Sequence, residues 1–202
     1  MKIPFITLSI SILMSVLFIF YGGAPESFAW YANAEWNQLW RLLSAHFVHS
    51  DIEHCFWNVG AFIILGTIIE QHSKRSLLLA IGTGLLAVNG YLLTYYTLNA
   101  YVGLSGVLNA VLIVAVFQLC QNPVYRSAAI WTLILSMIKI MVELYSGTSV
   151  FTSISWVAVP QAHLAGWLGG GIFVLLQTAN YFNTNKHTRY KQAINLERQF
   201  IN

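Results

Sequence analysis

Hydrophobic residues run along this chain in blocks near 4–21, 54–71, 76–97, 104–120, 127–145 and 161–180, separated by polar or glycine-bearing joints. Each block approaches the ~20 residues that a helix needs to cross the apolar core of a bilayer. The pattern therefore predicts six spanning helices and an all-α polytopic membrane protein, one bundle domain over 1–202. The polar remainder is a first loop over 22–53 and a tail over 181–202. The apolar run after Lys2, with Ala32-Asn33-Ala34 downstream, also has the outline of a secretion signal. Its length exceeds a usual signal core, and its removal would upset the charge pattern described next, so it is read as a retained span.

Composition sharpens this picture. The chain is 57% hydrophobic and 8% charged with a mean hydropathy of +0.63, against about 25% charged residues in an average soluble domain. With six spans, Lys2, Lys74, Arg75, Arg126, Lys186, Arg189, Lys191 and Arg198 all fall on one side. Arg41 falls on the other, and Lys139 lies inside a span. Excess Lys and Arg mark the cytoplasmic face, so both termini are expected there. The net charge of +3 is then explained by topology, and no nucleic-acid partner is called for. Cys55 and Cys120 both fall within spans and read as small packing residues.

Polar side chains inside a membrane are costly, which ranks the candidates for chemistry. Within or at the mouths of the spans stand His54, Asn58, Glu70, Ser105, Asn109, Lys139, Glu143 and His163. A Ser among glycines is ordinary packing where membrane helices approach closely, and a lone His is an ordinary interhelical hydrogen-bonding group. The two together read differently. Gly103-Leu104-Ser105-Gly106 opens the fourth span and His163-Leu164-Ala165-Gly166 the sixth, on the same side of the membrane. A neutral imidazole there can take the Ser105 hydroxyl proton and return it to a leaving amine. Gly166 and Gly170, extended by Gly169 and Gly171, make a small-residue face on the sixth span, and Gly106 and Ala110 a matching one on the fourth. Such faces let backbones come close. His54 and Asn58 are spaced i, i+4 near the outer end of the second span, so both project from one face. Together with the Ser105 amide they are candidate donors to an oxyanion.

These motifs resemble those of the rhomboid family of intramembrane serine proteases. The resemblance covers nearly the whole chain: Trp40-Arg41 in the first loop; His49, His54 and Asn58 in HFVHSDIEHCFWN; Gly66 and Glu70 further along; GLSG at 103–106; and HLAGWLGG at 163–170. It implies a six-helix bundle with an outward-open, water-admitting cavity. It also implies a Ser105–His163 dyad without an acidic third member, an oxyanion site from His54, Asn58 and backbone near Ser105, and no cofactor. The chain is most similar to the rhombosortase branch, through its short length, KIMVELYSG at 139–147 and VAVPQAHLAG at 157–166. That branch implies a bacterial inner-membrane enzyme open to the periplasm. Its substrates would be envelope or secreted proteins carrying a C-terminal Gly-Gly, helix and basic anchor, with membrane lipid as surroundings. One departure is Asn109, four residues after the nucleophile, where many members carry an aromatic ring against the histidine.

The remaining marked residues take plainer readings. His46, His49 and His54 lack any zinc-type spacing, so no metal is expected, and His49 is expected to support the first loop by hydrogen bonding. Lys139 and Glu143 are spaced to pair on one face of the fifth span, a structural ion pair. Glu70 is expected to reach Lys74 or to cap a neighbouring loop. Trp30, Tyr31, Trp36 and Trp40 fit an aromatic belt at the outer interface, with Trp40 and Arg41 anchoring the loop. Two other classes remain in view, a rhomboid-like protein that binds helices without cutting them and a small transporter. The first is defined by loss of the Ser or His, both present here, and the second has no evident inverted repeat.

Overall fold

The computed structural model describes residues 2–94, 100–150, 155–156 and 158–179. The expected tail over 181–202, with its four basic residues, lies outside the described residues. Among those described the fold is all-helical: α1 (Phe5–Tyr21), a short α2 (Arg41–Ser44) inside the first loop, α3 (Ile52–His72), α4 (Lys74–Thr94), α5 (Ser105–Cys120), α6 (Arg126–Ser146) and α7 (Pro160–Ala179). Helices α3, α4, α6 and α7 are long and apolar enough to cross a membrane, whereas α1 and α5 are shorter apolar helices of 17 and 16 residues.

Helix α5 sits at the centre. It buries Gly106, Val107, Leu108, Ala110, Val111 and Ile113 through Val116, and α3, α4 and α6 all pack on it. A helix apolar on every side is one enclosed by others. The outer helices instead leave large apolar side chains such as Ile12, Ile64, Leu86, Leu135 and Leu175 exposed, the surface that lipid covers in a membrane protein. At 1.5 Å per residue α5 is about 24 Å long, less than the ~30 Å apolar thickness of a bilayer. Ser105 is its N-terminal residue.

Glu70 shows how polar groups are accommodated. Helix α1 starts after Pro4 with no side-chain cap of its own, leaving amides that need acceptors. The Glu70 carboxylate, from α3, accepts from Ile6 N at 3.0 Å, Thr7 N at 2.9 Å and Thr7 Oγ1 at 2.9 Å. Its partner is thus the start of α1, while Lys74 lies over the Phe5 ring. A Cβ on Gly66 would stand 2.8 Å from Thr7 Oγ1, so the same contact needs glycine at 66.

The first loop departs from the aromatic-belt expectation at Trp30. Its backbone pairs with Tyr101 in both directions, at 3.1 and 2.8 Å, and its ring is buried with Ala45, Val88, Leu92 and Ala162. Only 3% exposed, Trp30 faces the interior of the bundle and not the interface. Trp36 and Trp40 are exposed, and the Arg41 guanidinium lies 5.9 Å from the Tyr31 ring and 5.8 Å from that of Trp40. Both cysteines are free; Cys55 is buried as expected, whereas Cys120 is only half-buried.

Replacing Glu70 by Ala leaves the α1 amides unsatisfied and is expected to cost about 1–3 kcal/mol. Thermal unfolding in detergent would register this as a lowered midpoint, with the reactivity of Ser105 in the folded protein unchanged.

Candidate active site

The turn into α5 depends on Gly103. Its φ of +102° is a conformation that side chains disfavour, and a Cβ there would stand 2.5 Å from the His54 ring. Gly103 N donates to Ala45 O at 2.8 Å, and the Tyr101 hydroxyl donates to Gly103 O at 3.1 Å. Ser105 follows as the first residue of α5, so its amide is among those with no intrahelical acceptor. It lies at the positive end of the helix dipole.

Helix α7 brings His163 to it. Pro160 opens this helix, a position where its missing N–H costs nothing. The glycine face then sets the approach: a Cβ on Gly166 would lie 1.8 Å from Gly106 O, and one on Gly170 2.6 Å from Ala110 O. Gly169 faces Thr83 and Ala87 of α4, whereas Gly171 meets nothing within 4 Å. With the two backbones in contact, His163 Nε2 stands 2.9 Å from Ser105 Oγ.

The other ring nitrogen, Nδ1, lies 2.7 Å from Glu143 Oε2. An ionised carboxylate only accepts, so Nδ1 holds the proton and Nε2 is left bare to accept from the serine hydroxyl. Glu143 stands one turn before the end of α6, where Gly147 takes the left-handed capping conformation. Its side chain is fully buried and also accepts from Lys139 Nζ at 2.5 Å and Val150 N at 2.9 Å. The expected Lys139–Glu143 pair is therefore present, but the acid also reaches the histidine, where the resemblance implies no acidic partner. Sequence reasoning missed this link. The available signal was depth, since Glu143 lies about one turn before the C-terminus of α6 and His163 about one turn after the N-terminus of α7, the helix that follows it.

Ser105, His163, His54 and Asn58 line one cavity of about 550 Å³, together with Trp57, Leu108, Asn109 and Lys139. Asp51 caps α3 by accepting from His54 N at 2.8 Å, and its other oxygen accepts from Ser50 Oγ at 2.7 Å and Ser155 N at 2.9 Å. Burial pushes the Asp51 carboxyl up, but these donors outweigh it and hold it below the usual carboxylate range. Ser50 Oγ is also 3.1 Å from His54 Nδ1. Because the single serine proton goes to Asp51, Nδ1 of His54 is the donor in that contact. Asn58 donates to His54 O at 2.8 Å, which leaves a second amide hydrogen to offer. Asn109 donates back to Ser105 O at 2.9 Å, fixing the backbone of the serine where an aromatic ring would have stacked.

His49 lies edge-on to His54 with ring centroids 5.0 Å apart, and neither of its nitrogens has a hydrogen-bond partner among the described residues. Its support for the loop is thus packing, in place of the expected hydrogen bond. Burial, then the nearby His54, pushes its pKa down to about 3, with Asp51 acting the other way. His46 lies beside it in the loop, 2.9 Å from Asn89 Oδ1, and burial lowers its pKa to about 4 against its hydrogen bonds to Asn89 and the Gly103 backbone.

A family model described as Rhomboid domain matches residues 36–179. The chain is also similar to the rhomboid protease GlpG of Haemophilus influenzae, 36% identical over 76 residues, which are 38% of this chain and 40% of that protein. The chain thus spans about two fifths of the length of that curated relative. No solved structure matches.

Gly166→Ala is expected to force α7 from α5, because no side chain gives way at 1.8 Å from a carbonyl. A displacement near 1 Å costs on the order of 10²-fold in rate, readable as slowed labelling of Ser105 by a fluorophosphonate. His46 and His49 make a separate prediction. Both are neutral when folded and charge near pH 6.5 when unfolded, so their stability contribution is complete above about pH 6.5 and is lost as pH falls toward their folded values. The loss is about 1.4 kcal/mol per pH unit per histidine. Melting in detergent is expected to drop between pH 7 and 5, and to drop less in His49→Phe.

Proposed function

This chain belongs to the rhomboid family, and from that premise we propose that it is an intramembrane serine endopeptidase built as one six-span domain. The observation that carries the reading is the 2.9 Å contact of His163 Nε2 with Ser105 Oγ at the N-terminus of α5. Ser105 Oγ attacks the scissile carbonyl carbon while its proton passes to His163 Nε2. The oxyanion takes hydrogen bonds from the Ser105 amide and the free Asn58 hydrogen. His54 joins them once its Nε2 carries a proton, which its present bond to Ser50 places on Nδ1. The C–N bond then breaks as His163 returns the proton to the leaving amine, and an ester to Ser105 remains. Water entering the cavity, with His163 again as base, releases the acid and frees the serine.

The substrate is a transmembrane segment that unwinds locally, since a helical carbonyl is hidden from attack. Glycine-rich segments lose helix most readily. That preference and the resemblance to rhombosortases support a C-terminal Gly-Gly, helix and basic anchor as the target, cleaved from envelope or secreted proteins. The bias of basic residues supports cytoplasmic termini and a site open to the periplasm of a bacterial inner membrane. The ester intermediate serves hydrolysis and transfer to another amine alike.

Co-expression with such an anchored protein tests the proposal. Wild type is expected to trim it, while Ser105→Ala and His163→Ala each lose at least ~10³-fold of the activity. The intact mass of the product distinguishes hydrolysis from transfer. Trimming that persists in Ser105→Ala would refute the assignment of the nucleophile.

A further inference from the structure

We infer that Glu143 completes a Ser105–His163–Glu143 relay, acting as a positioning residue that sets the tautomer of His163 and holds its ring toward Ser105. The inference rests on the protease reading and deepens it, because Glu143 touches the histidine and never the substrate.

Three observations carry it. Glu143 Oε2 is 2.7 Å from His163 Nδ1 while the opposite nitrogen, Nε2, is 2.9 Å from Ser105 Oγ. The imidazole is held at both ends, in the order that general-base work requires. The Glu143 side chain is fully buried, so its bond to the ring does not compete with water. Its other oxygen is held by Lys139 Nζ and by the Val150 amide. The carboxylate is thus fixed by donors from α6 itself and from the segment after it, and cannot rotate away from the ring. A carboxylate placed only to pair with Lys139 at i, i+4 would satisfy that charge from the surface of its own helix. Here the pair turns inward to the ring of a different helix.

The chemistry follows from the inventory of groups. When His163 takes the Ser105 proton it becomes an imidazolium inside a low-dielectric bundle. Glu143 lies against the nitrogen that shares this charge and remains ionised throughout, its role being orientation and charge compensation. Lys139 balances Glu143 at rest, so the carboxylate is available without an uncompensated negative charge in the membrane.

The test uses the full-length protein in detergent with a fluorophosphonate probe. Ser105 Oγ displaces fluoride from phosphorus, and the hydroxyl proton leaves through His163. The maximal labelling rate and the half-saturating probe concentration are measured for wild type, Ser105→Ala, Glu143→Gln and Glu143→Asp, with thermal melting of each. Glu143→Gln is expected to lower the maximal rate by about 10²–10⁴-fold. Half-saturation stays near the wild-type value, because an amide offered to Nδ1 favours the wrong tautomer without altering the cavity. Glu143→Asp, which keeps the charge but shortens the reach by about 1.5 Å, is expected to fall between the two. Labelling of Glu143→Gln within about threefold of wild type, with wild type active, overturns the relay and leaves the protease reading intact. Wild type labelled no better than Ser105→Ala overturns the protease reading itself, and the relay with it. Should Glu143→Gln unfold, Lys139→Met combined with Glu143→Gln removes both charges together. A rate loss that persists in the folded double variant supports action through His163, and a recovered rate overturns it.

Discussion

The contact on which the Ser105–His163 pairing depends is the approach of two backbones, α7 against α5, at Gly166 and Gly170. In a bilayer the hydrophobic effect does little to press one apolar helix on another, and close van der Waals packing takes over. The Gly106 carbonyl occupies the space where any other residue at 166 would carry its Cβ. That contact lies one turn after His163 and directly after Ser105. The distance between Ser105 and His163 is thereby set by rigid main chain, and the side chains need only point inward. The same helix α5 is packed by α3, α4 and α6, so its position is overdetermined. A short, largely enclosed helix carries the serine at its N-terminus.

Around this axis the outer side of the bundle is tied by polar bonds that each serve the site. The Trp30–Tyr101 pairing and the bond from Gly103 N to Ala45 O hold the first loop against the strand of chain entering α5. Asp51 caps α3 and binds the segment before α7 through Ser155. His46 and His49 fill the space beneath as neutral rings. Their desolvation outweighs the opposing pull of Asp51 on His49, so this region weakens on acidification while the carboxylate cap at Asp51 resists it.

The blocks of hydrophobicity, the glycine spacings and the i, i+4 pair of His54 and Asn58 were legible in the sequence, because each is a property of one helix and its period. What was not legible concerns partners supplied by another helix. Glu70 reads from the sequence as reaching Lys74 or capping a neighbouring loop, and what it caps, the start of α1 sixty-odd positions away, is not named by spacing. Trp30 reads as an interfacial aromatic by type, and only its pairing with Tyr101 puts it inside. His49 reads as a hydrogen-bonding residue, but the ring packed against it is His54. For Glu143 the spacing to Lys139 was read correctly, and it concealed the more consequential contact. An acid already provided with a partner on its own helix gives no hint that a second oxygen is spoken for.

That second oxygen changes the electrostatic account of the whole cavity. At rest the cluster of Lys139, Glu143 and neutral His163 sums to zero, which suits a site that a charged side chain enters only at a cost of several kcal/mol. Along the proposed reaction an imidazolium and an oxyanion form together, again a sum of zero. The order of charges from Lys139 through Glu143 and His163 to the oxyanion then alternates in sign. Every neighbouring pair attracts, and none needs water to screen it. In a low-dielectric bundle such interactions are stronger than in solvent, so alternation favours the charge-separated state over the neutral one. A bare dyad in the same surroundings lacks the inner half of that series and relies on cavity water to stabilise the imidazolium. On the proposed mechanism the Lys139–Glu143 pair, its carboxylate buried and its ammonium partly exposed, thus serves more than helix stability: it is the counter-charge for a proton moving from Ser105 to His163.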